Sequence, residues 1–422
     1  MPPTMRVYDP SNQKFVFLTG ATGLLGSYIL RNLLDRGENV AVLVRPGRRK
    51  TAERRISELL ARWNEGRGNE ENWNEGRGNG YEKNSARNAA MPRVFSGDFS
   101  HLGKLEELYG YCKSIIHCAA SLTFYGPPGE EPWISNVEGT HRILDFCDAA
   151  GITEMHYVST AYVAGSSQVF YERDLDIGQE LRNDYERSKF EAEKIVRSAD
   201  FLKQLTVYRP SIVVGDSNTG YTATFHGFYA VLKLAHTLVS RLPMGSTSGR
   251  NLLSALGMDG SERKNFVPVD WVTDVFCHIF SHPALHGQTY HLTTPNPPLL
   301  TDFVDVVQDA VETWSTLADE HDPQRADEDW FFEHYVKEVQ IYKAYLQDDP
   351  QFDIANTLSA APHLPCPAMD RSLMLFLARY AILSRFGKQK ILMEDVEGSM
   401  PMLPETKPES PGMKAPIKLV RH

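Results

Sequence analysis

The segment Thr19-Gly20-Ala21-Thr22-Gly23-Leu24-Leu25-Gly26 constrains this chain more than any other. It lies between the apolar run Phe15–Leu18 and a helical pattern that puts Leu24, Leu25, Tyr28, Ile29, Leu33 and Leu34 on one face and stops at Gly37. Glycines let the backbone turn tightly and approach a pyrophosphate, whose charge is met by N–H groups at the helix N-terminus. A glycine triplet alone is a weak signal. On a strand–turn–helix at the head of a βα series it becomes a strong one.

That series continues. Val40–Val44, Val94–Phe95, Ile115–Cys118, His156–Ser159 and Thr206–Tyr208 read as strands, mostly as continuous apolar runs. Such runs suit parallel strands covered by helices on both faces. A helix is expected from about Asn136 to Ala150, stopping at Gly151. The fold class is therefore α/β, a doubly wound parallel sheet of Rossmann type. After Gly215 the pattern turns helical: Phe225–Leu242, Asp270–Phe280, 301–318, 328–347 and 370–387 read as helices, with short strands at Asn265–Val269 and Thr289–Leu292. We expect a dinucleotide-binding domain over 14–295, a mostly helical substrate region over 296–395, and a disordered proline-rich tail over 396–422. A tandem duplication, WNEGRGN at Trp63–Asn79, reads as a polar surface insert spanning 63–80.

Three further features carry chemistry. The second strand ends Val44-Arg45-Pro46-Gly47-Arg48-Arg49-Lys50, with no acid to accept from a ribose 2′-OH. Arg45 and Arg48 therefore point to the 2′-phosphate of NADP, while Arg49 and Lys50 read as solvated. In Asn183-Asp184-Tyr185-Glu186-Arg187-Ser188-Lys189, Tyr185 and Lys189 share one helix face. An ammonium there is expected to lower the phenol's pKa and fit it for acid/base work. Finally, Ser159 and Thr160 place hydroxyls where a strand meets the carboxyl edge of the sheet, the side on which ligands bind in open α/β folds.

With those residues in place, the chain resembles the extended short-chain dehydrogenase/reductase superfamily over about 14–295. The motifs are TGATGLLG, Asp98, HCAAS (His117–Ser121), NVEGT (Asn136–Thr140), STAYVAG, YERSK and YRPSIVVGD (Tyr208–Asp216). Within it the chain looks most like acyl-thioester and fatty acyl-CoA reductases, with a male-sterility-type NAD(P)-binding domain. The stretch Lys264–Trp271 and a faint C-terminal echo at Tyr345–Thr357 share that flavour. The resemblance implies Thr160 as the hydroxyl holding the substrate carbonyl, Ser159 as its understudy, Tyr185 as proton donor and Lys189 as ribose anchor. It implies a cofactor site of Gly20, Ala21, Thr22, Gly23, Leu24, Leu25, Gly26, Arg45, Arg48, Asp98, Phe99, Cys118, Ala119, Ala120, Asn136, Tyr185, Lys189, Pro210, Ser211, Ile212 and Val213. The implied reaction is NADPH-dependent reduction of an acyl thioester, on CoA or a carrier protein, to an aldehyde or alcohol. An NAD-dependent sugar-nucleotide epimerase or dehydratase is the alternative, and a non-catalytic cofactor sensor a weaker one. The resemblance also leaves a homodimer open.

Composition excludes other classes. Lys plus Arg total 44 against 54 Asp plus Glu, a net charge of −10, which argues against a nucleic-acid partner. Five scattered cysteines and an N-terminus without an apolar leader lead us to expect reduced thiols and a cytoplasmic location. The longest apolar stretch, Leu373–Phe386, is short and carries Arg379 and Arg385, so no transmembrane segment is expected. The fourteen histidines read as surface or core residues, so no metal is expected. His226, Phe228, Tyr229 and His236 read as core rather than as a substrate channel.

Overall fold

The computed structural model describes residues 14–47, 49–67, 91–99, 103–239, 253, 257–318 and 346–391. Arg48, most of the WNEGRGN duplication, residues 328–345 of the helix expected over 328–347, and the tail at 396–422 lie outside the described residues.

Eleven strands occur among the described residues: β1 Phe15–Thr19, β2 Val40–Val44, β3 Arg93–Ser96, β4 Cys112–His117, β5 Glu154–Val158, β6 Val169–Phe170, β7 Gln204–Pro210, β8 Ile212–Val214, β9 Phe266–Pro268, β10 Thr289–Leu292 and β11 Gln351–Phe352. Seven of them form one parallel sheet in the order β10-β7-β5-β4-β1-β2-β3. This is the doubly wound arrangement expected from the sequence. The chain winds one way from β1 to β3 and the other way from β4 on, so the crevice beyond the carboxyl ends of β1 and β4 is the switch point.

Among the described residues the helices are α1 Leu24–Asp35, α2 Ala52–Arg67, α3 Gly139–Ala150, α4 Asp184–Arg197, α5 Phe228–Val239, α6 Val269–Phe280, α7 Leu300–Ala318, α8 Ala355–Ala360 and α9 Arg371–Leu383. Alternate β1 side chains serve the two faces of the sheet. Val16 and Leu18 pack with Ile29, Leu33, Trp271 and Phe276, whereas Phe15 and Phe17 pack with Ile143, Phe146 and Val196. A third core gathers Phe228, Phe266, Phe303, Trp314 and Leu377 where α5, α7 and α9 meet β9.

Several local expectations are corrected. The strand expected at Asn265–Val269 is β9 and pairs with β8, while β6, β8 and β11, of two or three residues each, are too short for periodicity to reveal. The helix expected from Asn136 starts as a π-turn over Ile134–Glu138 and becomes α-helical at Gly139. The duplication is not wholly a loop, since α2 runs into its first copy. Ala52, Ile56, Leu59, Leu60 and Trp63 continue one apolar face, and Trp63 is half-buried against the α1 core.

The segment before α8 ties the C-terminal region back to the sheet. Asp349 Oδ1 accepts from Lys264 Nζ at 2.6 Å, while Oδ2 accepts from Tyr162 Oη at 2.9 Å and Asn265 N at 2.7 Å.

Candidate active site

The glycine turn closes the switch-point crevice at backbone distance. Gly20 has φ +77°, and a Cβ on it would lie 2.7 Å from Ala119 N. A Cβ on Gly26 would lie 2.2 Å from Gly20 O. Gly23 N donates to Gly20 O at 2.9 Å. Ala21 and Leu24 are buried, Thr22 and Leu25 half-buried, so this loop is anchored from below. The N-terminus of α1 has no side-chain cap and no acid in its first turn. Its N–H groups and positive dipole end face the crevice mouth, a suitable cradle for pyrophosphate. Cys118, Ala119 and Ala120 follow β4 across the crevice, and Ala119 N donates to Thr19 Oγ1 at 3.3 Å. Burial pushes the Cys118 thiol up to about 12, so it is no nucleophile.

At the carboxyl end of β2, Arg45 is exposed, donates to Ser135 Oγ at 3.0 Å and lies 5.9 Å from the Phe99 ring centroid. Asp98 is half-buried beside the buried Phe99. The sequence reading missed Arg55, in the first turn of α2. It donates to Thr22 Oγ1 at 3.0 Å and to the Arg45 carbonyl at 2.6 Å, joining the glycine turn to the basic edge. Gly47, Arg49, Lys50 and Arg55 line an open groove there. The available signal was a basic residue in the helix just beyond the arginine run; the reading stopped at Lys50.

Thr160 and Tyr185 come together at the carboxyl end of β5. Thr160 is buried and caps the turn Ala161–Ala164: its Oγ1 accepts from Tyr162 N at 3.3 Å and donates to Pro210 O at 3.4 Å. Asn183 Oδ1 caps α4 by accepting from Glu186 N at 2.9 Å, which sets Tyr185 in the first turn. The Tyr185 phenol lies within hydrogen-bonding reach of the Thr160 hydroxyl, and the Phe124 ring stands edge-on at 6.2 Å.

Two sequence-based expectations fail here. Tyr185 is not lowered: burial pushes it up to about 12, outweighing the Thr160 hydrogen bond. Lys189 Nζ instead donates to Tyr157 Oη at 3.1 Å and Val158 O at 2.8 Å, and burial holds it down at about 8. Loss of water from both groups outweighs their one-turn spacing. Ser159 is no understudy either. Its Oγ donates to Glu193 Oε2 at 2.6 Å, inside a fully buried network where Glu193 Oε1 also meets Arg209 Nη2 at 2.6 Å.

Asn136 is a clamp. Its Oδ1 accepts from Ser121 N at 2.7 Å, and its Nδ2 donates to Ser121 O at 3.0 Å and Ser188 Oγ at 2.9 Å, holding the β4 loop against α4. Ser211, beyond β7, donates to Asn265 Oδ1 at 2.8 Å, and Ile212 N donates to Asn265 O at 3.1 Å, so 210–213 is fixed beside Thr160. Pro210 thus meets Thr160 through its backbone carbonyl, with Ile212 and Val213 following it in the chain. Among the described residues no helix is long and apolar enough to cross a membrane.

Comparison with known proteins gives this geometry a context. The family model described as "Male sterility protein", an NAD-binding domain, matches residues 18–276. Nonribosomal peptide synthetase asaC of Aspergillus flavus is 30% identical over 311 residues, covering 70% of this chain and 27% of that protein. Aldehyde reductase lnaA of Aspergillus flavus is 26% identical over 405 residues, 86% of this chain and 36% of that one. The chain thus spans about a quarter to a third of these relatives' length. The crystal structure of the terminal R domain from the myxalamid PKS-NRPS biosynthetic pathway superposes with a TM-score of 0.64 at 22% identity, covering 89% of this chain and 91% of that one, a likeness of fold.

Proposed function

The chain belongs to the male sterility family of NAD(P)-binding domains, among the extended short-chain dehydrogenase/reductases, and on that premise we propose that it is an NADPH-dependent reductase of acyl thioesters. The observation that carries this reading is the meeting of Thr160 and Tyr185 at one edge of a crevice whose other edge bears Arg45 and Arg55. The first pair suits a carbonyl oxygen, the second a ribose 2′-phosphate.

A glycine turn that no Cβ could enter fits a dinucleotide pyrophosphate. Gly20–Gly26 and the α1 N-terminus would hold it, with Arg45 and Arg55 at the phosphorylated ribose and Lys189 at the nicotinamide ribose. When bound, NADPH supplies the hydride that reduces the carbonyl carbon. The chain's own work is to fix the carbonyl and deliver a proton. Thr160 and Tyr185 donate to its oxygen, and both hydroxyls stabilise negative charge developing there. Tyr185, held protonated by burial, donates its phenolic proton to that oxygen. Reduction of the thioester carbon expels a thiol and leaves an aldehyde; a second reduction gives an alcohol.

Delivery on a carrier protein is the form we favour, since a relative of 30% identity is a nonribosomal peptide synthetase. The deciding experiment offers the full chain NADPH with acyl-CoAs, acyl-carrier proteins, free aldehydes and nucleotide sugars. Loss of reduced-nicotinamide absorbance, matched by thiol release, supports the proposal. Tightly held NAD⁺ that survives dialysis, with turnover of nucleotide sugars alone, would establish the epimerase instead.

A further inference from the structure

At the opposite end of β5 from Thr160, three side chains converge. Glu154 and His156 stand two apart on the strand and so share one face of the sheet. His286 arrives from the turn after Pro283–Leu285. Glu154 Oε1 lies 3.1 Å from His156 Nε2 and 3.4 Å from His286 Nδ1, and the three ligand atoms all fall within 4.8 Å of one another. A tetrahedral ion with bonds of about 2.0–2.1 Å separates its ligands by roughly 3.3 Å.

The remaining ring nitrogens are already engaged. His286 Nε2 lies 3.1 Å from both the Ile279 and Phe280 carbonyl oxygens, and a carbonyl only accepts, so this nitrogen carries the hydrogen. His286 Nδ1 is therefore the nitrogen that faces the Glu154 carboxylate, and the gap between them suits a positive centre, a proton or a metal ion. His156 Nδ1 lies 3.0 Å from Tyr208 Oη. Outer-shell contacts of this kind orient metal-bound imidazoles. The His156 side chain is fully buried and that of His286 nearly so, while Glu154 is 34% exposed, leaving an open side for water.

We propose that Glu154, His156 and His286 form a metal site for a late first-row divalent cation, zinc(II) in the first instance, with water completing the coordination. Its position fixes its role. Five residues, most of β5, separate Glu154 from Thr160, so the ion pins the amino end of β5 to the loop entering β10 and takes no part in carbonyl chemistry. This departs from the expectation that no histidine ligates a metal, and the reason is topological. Glu154 and His286 lie far apart in sequence, and the sheet order places β5 and β10 on either side of β7.

A second cluster of histidine rings serves as the control. The His278 ring centroid lies 4.2 Å from that of His282 and 4.5 Å from that of His363. The test is calorimetric titration of the chelator-treated full chain with ZnCl2, together with its Tm with and without Zn²⁺. We expect one equivalent bound and a Tm rise of about 3 °C or more at saturation. Glu154→Gln, which keeps the hydrogen-bonding shape, and His286→Ala should each weaken binding at least tenfold. His282→Ala should leave it unchanged. Chelator-treated variants must retain wild-type NADPH binding, which certifies the fold independently of zinc and of any turnover. No uptake by the wild type, or uptake lost in His282→Ala and kept in Glu154→Gln, would overturn the proposal.

Discussion

Lys189 Nζ donates to the Tyr157 hydroxyl at 3.1 Å, although Tyr185 precedes Lys189 by one helical turn. The cation is thus tied to β5 before any ligand arrives, and burial holds it down at about 8 against an ordinary 10.5. The free chain should lose this charge as pH rises through about 8. If the ammonium anchors the cofactor ribose, kcat/KM for NADPH should fall about tenfold per pH unit above that point. Lys189→Arg, which stays charged, should flatten the alkaline limb even while lowering the rate. A wild-type profile level to pH 10 would remove the anchor role.

Tyr185 is pushed up to about 12, so it remains a protonated acid throughout the working range. Tyr185→Phe should lower kcat by about 10²–10⁴ while leaving NADPH affinity nearly unchanged, since the ring keeps its edge contact with Phe124. Thr160→Val should cost about 10²–10³. Stopped-flow turnover and cofactor fluorescence separate the two effects. A Tyr185→Phe enzyme within threefold of wild type would end the proton-donor assignment.

The sheet was legible because its inner strands, β1 and β2 above all, are buried on both faces and read as almost unbroken apolar runs; all seven have counterparts in the sequence reading. The glycine turn was legible for a different reason, since a backbone approach of this kind admits only glycine. What stayed hidden depends on distance in sequence. Arg55 matters through Thr22, and Ser159 is claimed by Glu193, 34 positions on. Asp349 holds Tyr162 from 187 positions away. The Tyr185–Lys189 spacing was read correctly as one shared face, but spacing carries no information about desolvation, which decides both pKa values.

Arg55 bridges Thr22 and the Arg45 carbonyl, so it should contribute to cofactor choice alongside Arg45. NADPH should bind at least tenfold tighter than NADH, a difference of about 1.4 kcal/mol. Arg45→Ala and Arg55→Ala should each remove most of that preference, and Arg55→Ala should also weaken NADH modestly by loosening the glycine turn. Isothermal titration with both cofactors reads this directly. Equal affinities in the wild type would overturn the NADP assignment.

Trp63 is half-buried against the α1 core, whereas the second WNEGRGN copy lies outside the described residues. Trp63→Ala should therefore destabilise by about 1–3 kcal/mol through lost apolar contact. Deleting Trp73–Asn79 should change Tm by little, because that polar, glycine-rich sequence offers little apolar surface to bury. Denaturant melts of the two variants should diverge; equal losses would mean that the second copy packs as well as the first.

Glu193 is the most consequential side chain that neither hydride transfer nor proton transfer uses. Burial alone would raise its carboxyl, yet Arg209, Arg197 and the Ser159 hydroxyl hold it down at about 2 against an ordinary 4.5. A depressed carboxylate contributes stability that is complete above about 4.5 and is lost as pH falls toward 2. A shift of that size corresponds to about 3 kcal/mol. Glu193→Gln leaves the fully buried Arg209 without its counter-charge and should cost about 3–5 kcal/mol at neutral pH. It should also flatten the acid limb of the stability profile. Urea melts of wild type and Glu193→Gln from pH 7 to pH 3 check both statements. Two parallel acid limbs would mean that some other carboxylate governs unfolding in acid.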